Sequence, residues 1–209
     1  MSAHDQARIG FLRLPDPSPE AERSFEEDIQ ELGYIMNVSR LWAYQPATQA
    51  GLSDLLRQAH ASDPLTLRQR QILVTAATAA FGDSYCALVW GGKLAHSSDP
   101  MAAVGVLRGL DHGLSDSEQA LATWARKVAR NPNTTTAADV QALRDAGFND
   151  AQIFSITVFI ALRLAFATVN DALGVSPDAG LRSALPPAVL DAVSVGRPIE
   201  PHPAVEEPR

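Results

Sequence analysis

The sequence predicts an all-α protein, and three observations lead to that prediction. Residues that can cap a helix precede most apolar segments, and glycines or prolines that end a helix follow them. No segment alternates apolar and polar residues in the period of a strand for more than a few residues. The 209 residues, with 46% hydrophobic and 20% charged side chains, are typical of one globular domain. We expect a single domain over 1–209, with its core at about 18–175 and a proline-rich tail at about 186–209.

The first half of the chain predicts four helices. Each begins at a capping residue or at a proline suited to the first helical turn. Within the second helix, leucines and an alanine recur every three or four residues, as one buried face requires. The predicted starts and ends are, in order, Ser18 to Gly33, Pro46 to Asp63, Thr66 to Gly82, and Asp83 or Ser84 to Leu94.

The second half predicts three capped helices and a short one in the tail. Three capping boxes open the first three, because each pairs a capping residue with a polar side chain three residues later. The boxes are Ser115 with Glu118, Thr136 with Asp139, and Asn149 with Gln152. The short helix is expected near Val189–Val193, and the following proline-rich segment is either loose or laid over a neighbouring subunit.

The longest apolar stretch, Ile153–Val169, is almost long enough to span a membrane. Arg163 interrupts it near its middle, with Ser155 and Thr157 nearby. A charge in that place favours a central helix packed on all sides inside a soluble core. Arg163 is then expected to pair with a carboxylate, because an unpaired buried charge is costly.

Charge and cysteine content exclude several classes of function. The net charge of −7 repels phosphate backbones and anionic lipids, so we expect neither nucleic acid nor a membrane as partner. Cys86 is the single cysteine and cannot form an intramolecular disulfide. The first residues contain no apolar signal-peptide core, which predicts a cytoplasmic protein.

The segment Leu67–Cys86 resembles the core of the alkylhydroperoxidase D-like, or carboxymuconolactone decarboxylase, family. Downstream segments follow the order seen in the peroxidase-related branch of that family, and the likeness covers about Phe25–Val175. These segments are Ser115–Leu121, Asp139–Ile153 and Asp171–Val175. The resemblance implies the alkylhydroperoxidase D-like helical fold and antioxidant reduction of hydroperoxides.

The active-site motif of that family is only partly present. The motif is a glutamate, eleven residues, then Cys-x-x-Cys, with a histidine four residues after the second cysteine. With Cys86 as the second cysteine, the first falls on Asp83, the glutamate on Gln71 and the histidine on Trp90. The resemblance therefore implies a degenerate motif, because three of its four positions lack the side chain that the family uses in its active site.

Thiol peroxidases need a thiolate, a group that lowers its pKa or relays its proton, and a second thiol that resolves the sulfenic acid. Cys86 provides only the first of these. An ionised Asp83 one turn away would oppose thiolate formation, whereas a helix N-terminus near Cys86 would favour it. Cys86 is thus the one candidate catalytic residue, and a small buried apolar residue is the alternative interpretation.

Other candidate site residues have structural alternatives. Tyr85 could line a pocket but also suits a core or an oligomer interface. His96 and His112 could be brought near Cys86 by folding, or could be simple loop residues. The five histidines are too scattered for metal-ligand spacing, so no metal and no cofactor are expected.

Three functional hypotheses remain open from the sequence. The first is an oxidoreductase that works through Cys86 alone, with an external thiol reductant as partner. The second is a non-catalytic homologue that binds a small ligand or has a structural role. The third, decarboxylase or lyase chemistry on a lactone acid, follows from the family name and requires a general base that the sequence does not identify. Aromatic side chains and the tail predict a homo-oligomer, as a dimer, trimer or hexamer.

Overall fold

The computed structural model describes residues 7–61 and 65–201, which form eleven α-helices, one 3-10 helix and a small hairpin. The helices are α1 (Pro19–Leu32), α2 (Asn37–Trp42), α3 (Pro46–Ala59), α4 (Leu67–Phe81), α5 (Ser84–Ser97), α6 (Pro100–Arg108), α7 (Asp116–Arg130), α8 (Ala137–Asp145), α9 (Asp150–Ala172), α10 (Leu181–Ala184) and α11 (Pro187–Ala192), with the 3-10 turn at Pro132–Thr134. Strands β1 (Arg8–Ile9) and β2 (Leu12–Arg13) pair antiparallel. They are too short to show a period in the sequence. The all-α prediction is confirmed.

Local capping explains where most helices begin. Four capping boxes are present, and in each the cap side chain accepts from a backbone N–H while the third helical residue bonds back to the cap. They begin α4, α7, α8 and α9, where the sequence predicts them. Ser18 caps α1 and Asp83 caps α5. Such caps contribute on the order of 1 kcal/mol each.

Three helices, α2, α6 and the short α10, have no counterpart in the sequence prediction, and two boundaries differ. Helix α2 begins at Met36, which makes no side-chain cap, so no local signal marks it. Helix α6 follows the N-cap residue Asp99, whose carboxylate accepts from the Met101 N–H at 3.0 Å. Helix α5 runs three residues beyond Leu94, and α11 lies slightly before its predicted position. The predicted end of α3 at Asp63 lies outside the described residues.

Helix α4 lies at the centre of the main core. Its Ile72, Leu73, Ala76 and Ala77 are completely buried. It packs against α5, α6, α7 and α9, so the short turn between α4 and α5 is held from several sides.

Helix α9 is packed on one side rather than on all sides, so that prediction is wrong. Ile156, Phe159 and Ile160 face α3, α4 and α7, while Phe154 is 71% exposed. An 18-residue window of α9 has a mean hydropathy of 1.8 with 28% of it buried. By length and composition alone, α9 is the one helix among the described residues that could cross a membrane. The core helix of a soluble protein meets the same criteria, so the absence of a membrane span stays a prediction.

The described part of the tail lies on its own chain. Ser84 Oγ donates to the carbonyl oxygen of Arg197 at 2.7 Å, and Arg182 Nη2 donates to that of Ile199 at 2.8 Å. The Glu200 N–H donates to the Pro177 carbonyl at 2.9 Å. Up to Pro201 the tail is therefore neither loose nor laid over a neighbouring subunit, because its own core provides the partners. Residues 202–209 lie outside the described residues.

Candidate functional site

Cys86 is the third residue of α5, directly after a tight turn. Gly82 ends α4 with a φ of +96°, which favours glycine, and Thr78 O accepts both the Gly82 and the Asp83 N–H at 3.0 Å. Asp83 then starts α5, where its Oδ1 accepts from the Cys86 N–H at 3.0 Å. The turn therefore fixes the carboxylate of Asp83 beside the thiol of Cys86.

The surroundings of Cys86 favour the neutral thiol. Burial raises the pKa of Cys86 well above its ordinary value, and the nearby Asp83 carboxylate raises it further. The charge of Arg163 acts in the opposite direction but is the smaller influence. At neutral pH the sulfur is thus protonated, which is the opposite of what nucleophilic attack on a peroxide requires.

The carboxylates of Asp83 and Asp171 both have raised pKa values in this region. Asp83 is completely buried, and burial raises its pKa although hydrogen bonds from Cys86 and Tyr85 oppose the shift. Asp171 is half-buried, and burial together with Asp83 raises its pKa to about 6 while Arg197 lowers it. Asp171 therefore lies close enough to Asp83 for the two charges to repel.

Arg163 has no carboxylate partner among the described residues, so the predicted ion pair is wrong there. Its guanidinium carbon lies 4.7 Å from the ring centroid of Trp90 and 5.4 Å from that of Phe159. Lys93 Nζ lies 5.0 Å from the same Trp90 ring. Burial is the main reason that the pKa values of both cations are lowered, and they also repel each other. The guanidinium group of Arg163 therefore makes cation–π contacts with aromatic rings instead of the expected ion pair with a carboxylate.

Gln71 links α4 to the second half of α5. Its Oε1 accepts from Ser97 Oγ at 2.7 Å, and its Nε2 donates to the Lys93 carbonyl at 3.3 Å. The amide is buried and carries no titratable proton. It holds the two helices together and does not contact Cys86 in any hydrogen bond among the described residues.

The two histidines do not join Cys86. His96 lies ten residues further along α5, which is about 15 Å along the helix axis, and its Nδ1 donates to the Gly92 carbonyl at 2.7 Å. His112 lies between α6 and α7, where its backbone packs against Gly105. No group of three His, Cys, Asp or Glu residues that could hold a metal occurs in 7–61 and 65–201.

Tyr85 belongs to a buried polar cluster that the sequence did not indicate. Its hydroxyl donates to Asp178 Oδ2, while Asp178 Oδ1 accepts from the Asn37 N–H at 2.7 Å. Burial and the Asp178 charge raise the pKa of Tyr85. The partners come from segments 93 and 141 residues apart, so no local pattern could have connected them.

A cavity of about 740 Å³ lies between α1, α5 and α10. Its walls are mostly apolar, with a few polar groups, as is usual for sites that bind small molecules. The apolar part includes Leu32, Met36, Val89 and Leu185, and the polar part includes Glu31, Gln71, Lys93 and His96. Gln71 and Lys93 thus connect the cavity to the region of the predicted motif.

No family model and no curated protein matches the sequence. Solved structures do match. The core of an uncharacterized peroxidase-related protein from Ralstonia eutropha JMP134, described as an alkylhydroperoxidase AhpD core, superposes with a TM-score of 0.73 and 22% identity, covering 83% of this chain and 95% of that one. The chain has the alkylhydroperoxidase D-like fold.

Two other structures share this fold. An uncharacterized peroxidase-related protein from Silicibacter sp. TM1040 has a TM-score of 0.72 at 21% identity, covering 85% of this chain and 96% of that one. The apo debrominase Bmp8 has a TM-score of 0.69 at 16% identity, covering 90% of this chain and 98% of that one. A cysteine-to-alanine variant of Bmp8 was solved with 2,3,4-tribromopyrrole. At these identities the likeness establishes the fold.

Proposed function

We propose that this AhpD-like chain is a peroxidase-related protein without dithiol hydroperoxidase activity, and that it binds a small molecule in the cavity beside α5. The observation that carries the proposal is the burial of Cys86 next to Asp83, which raises the pKa of the thiol. A thiol that stays protonated is a poor nucleophile. Because Cys86 is the single cysteine of the 209 residues, no second thiol of the chain can resolve an oxidised sulfur.

The degenerate motif is part of this proposal. Gln71 and Trp90 stand where the resemblance expects a glutamate and a histidine, and neither side chain can relay a proton at neutral pH. The hydrogen bonds of Gln71 and the cations on the Trp90 ring support a role in packing and in binding.

The ligand-binding half of the proposal is supported by the cavity itself. Its volume of about 740 Å³ is in the range typical of small-molecule sites, and apolar walls with a few polar groups favour an organic ligand. Two AhpD-like neighbours are peroxidase-related proteins without an assigned substrate, and a third acts as a debrominase. Proteins with this fold therefore differ in the reactions with which they are associated.

A direct peroxidase assay tests the claim that the protein lacks dithiol hydroperoxidase activity. The purified protein is given cumene hydroperoxide with dihydrolipoamide as the dithiol reductant, and loss of hydroperoxide is followed. We expect a rate equal to that of a protein-free control and unchanged by Cys86→Ser. Turnover above that background that disappears in Cys86→Ser would contradict the proposal.

A second candidate is an oxidoreductase that works through Cys86 alone. The charge of Arg163, which lowers the pKa of Cys86 against the larger influences, favours it. The Cys86 sulfur would attack a hydroperoxide, breaking the O–O bond to give a sulfenic acid and an alcohol. Two equivalents of an external thiol would then reduce the sulfenic acid to thiol and water and be oxidised to their disulfide. Mass spectrometry after one equivalent of hydroperoxide tests it, since this candidate requires rapid gain of one oxygen atom at Cys86.

Assembly and location complete the proposal. We propose a homo-oligomer, as a dimer, trimer or hexamer, in the cytoplasm, without nucleic acid or membrane as partner. The exposed apolar side of α9, including Phe154 and Ala161, supports self-association. Light scattering at micromolar concentration tests the claim, and a monomer would contradict it.

A further inference from the structure

We propose that Arg163 and Lys93, which both lie on the Trp90 ring, bind with Arg70 the carboxylate of a small organic acid whose apolar body occupies the cavity beside α5. This inference rests on the proposed function, because it specifies the chemical class of the ligand. We refer to Arg70, Lys93 and Arg163 as the cation cluster.

No member of the cation cluster forms an ion pair with a carboxylate among the described residues. Six ion pairs occur there, and none includes a member of the cluster. Three partly buried cations outside the cluster, Arg68, Arg126 and Lys127, each contact a carboxylate. Arg40 and Arg197 are also partly buried and form no ion pair among the described residues, so the distinguishing feature of the cluster is that its unpaired cations lie together.

A continuous series of contacts brings the cluster together. Arg163 and Lys93 both lie on the ring of Trp90, at 4.7 and 5.0 Å from its centroid. On the other side, Arg163 contacts Phe159, whose ring lies edge-on to His60 at 5.9 Å between centroids. His60 Nε2 lies 3.4 Å from Arg70 Nη1. Three helices, α4, α5 and α9, therefore each supply one cation.

Two guanidinium groups of the cluster have unused hydrogen-bond donors. The Nε atoms of Arg70 and Arg163 are buried and have no hydrogen-bond partner in the described part of the chain. A buried donor without a partner is costly, and so is a set of like charges that repel. Burial and neighbouring cations lower the pKa values of Arg163 and Lys93. A bound anion would remove both costs.

The balance of charge favours a single carboxylate over a more highly charged ligand. Glu31 lines the same cavity and raises the pKa of Lys93, so it reduces the positive charge available there. A guanidinium group also matches the planar carboxylate with two parallel hydrogen bonds. These features fit an organic monoanion.

The apolar body of the ligand follows from the position of Lys93. Its ammonium group lies on Trp90, and the same residue lines the 740 Å³ cavity together with Met36, Val89 and Leu185. Lys93 is the member of the cluster that lines the cavity, so a carboxylate bound at its ammonium group would place the attached carbon skeleton against these side chains. Burial of that skeleton provides the hydrophobic part of the binding free energy.

The same carboxylate could belong to a side chain of a second copy of this protein. The cluster is only partly buried, so a partner surface could reach it. We assign the carboxylate to a free acid. Calorimetry and light scattering on the same samples distinguish the two sources.

The test compares naphthalene-2-carboxylate with naphthalene-2-carboxamide, which has nearly the same shape and no charge, by isothermal titration calorimetry. We expect the carboxylate to bind more tightly by about tenfold or more, as a charge-assisted hydrogen bond predicts. Lys93→Gln and Arg163→Gln should each remove most of this preference, and Arg163→Lys should retain part of it. Arg130→Gln, at an exposed arginine of α7, is the matched control and should leave both affinities unchanged.

Each outcome decides between the claims. Equal affinity for the acid and the amide overturns the inference and leaves the proposed small-molecule site intact. Failure of both compounds to bind the folded protein overturns the inference and the ligand-binding half of the proposed function, while hydroperoxide turnover decides the enzymatic half. If the acid does not bind and Arg163→Gln reduces the oligomer mass, a second copy supplies the carboxylate and the inference is wrong. The Lys93 side chain is partly covered and still reaches solvent, so Lys93→Gln remains informative if the Arg163 variants fail to fold.

Discussion

The carboxylate of Asp83 accepts a hydrogen bond from the backbone N–H of Cys86, with 3.0 Å between Oδ1 and N. One side chain therefore has two opposing effects. It stabilises the start of α5, and it places a negative charge beside the thiol. A helix N-terminus ordinarily lowers the pKa of a cysteine, but here the cap carries the charge that opposes this effect.

The first prediction removes that charge and keeps the cap. Asn accepts the same hydrogen bond as Asp, so Asp83→Asn should leave α5 intact and lower the pKa of Cys86 by about 1 unit or more. The pH dependence of monobromobimane labelling measures the shift.

Asp99→Asn is the matched control, because Asp99 caps α6 in the same way without a cysteine beside it. That variant should leave the labelling profile of Cys86 unchanged. A profile that is also unchanged in Asp83→Asn would mean that burial alone sets the pKa of the thiol.

The second prediction concerns Asp171 and the pH dependence of stability. Its pKa rises from 3.8 to about 6 on folding, so the folded chain binds the proton more tightly than the unfolded chain. The free energy of unfolding should therefore decrease as pH rises between 3.8 and about 6. Because Asp171 is half exposed, solvent screening reduces the loss to about 1 kcal/mol.

Urea unfolding of the wild type and Asp171→Asn from pH 4 to 7.5 measures this effect. The variant should be the more stable at pH 7 and should lack part of the pH dependence. Parallel curves for the two proteins would show that Asp171 has an ordinary pKa in the folded state.

The third prediction compares the two sides of α9. Ile160 is 1% exposed, so Ile160→Asp buries a charge without a partner and should cost about 4 kcal/mol or more. Phe154→Asp, on the exposed side of the same helix, should leave the stability of the folded chain nearly unchanged and weaken self-association. Thermal melting and light scattering of both variants check this, and similar melting temperatures would show that α9 does not lie as described.

The fourth prediction concerns the tail. Gly196 has a φ of +69°, and a Cβ there would lie 2.5 Å from Gly82 O and 2.7 Å from Ser84 N. Gly196→Ala should therefore destabilise the protein by about 2 kcal/mol, since strain and a backbone clash add. Gly51→Ala is the control within α3, where a Cβ meets nothing within 4 Å. It should stabilise by about 0.5–1 kcal/mol, and equal effects of the two substitutions in urea unfolding would contradict the packing of the tail.

Much of the fold could be predicted because its signals are local. The caps Thr66, Ser115, Thr136 and Asn149 each lie three residues from their partners, so the sequence itself contains both members of every box. Helix α2 lacks such a cap and owes its place to burial of Val38, Leu41 and Trp42. A helix without a cap, such as α2, depends on packing against distant residues, and the local sequence pattern does not show that packing.

The site was less predictable because its partners are distant in sequence. The sequence shows Arg163 as a lone charge in an apolar helix, but its aromatic neighbour Trp90 is 73 residues away and belongs to another helix. The same holds for Tyr85 and Asp178. By contrast, the proximity of Asp83 and Cys86 follows from helical spacing, and so did the expected direction of their electrostatic effect.

The central claim is that Cys86 is a buried, protonated thiol at neutral pH, and the alkylation rate of native protein by iodoacetamide against pH tests it most directly. Denatured protein provides the reference for an accessible thiol with an ordinary pKa. We predict slow alkylation at pH 7 that rises only above about pH 9, because burial and Asp83 both raise the pKa of Cys86. Rapid alkylation that reaches its plateau below pH 7 would show a reactive thiolate and would contradict the account.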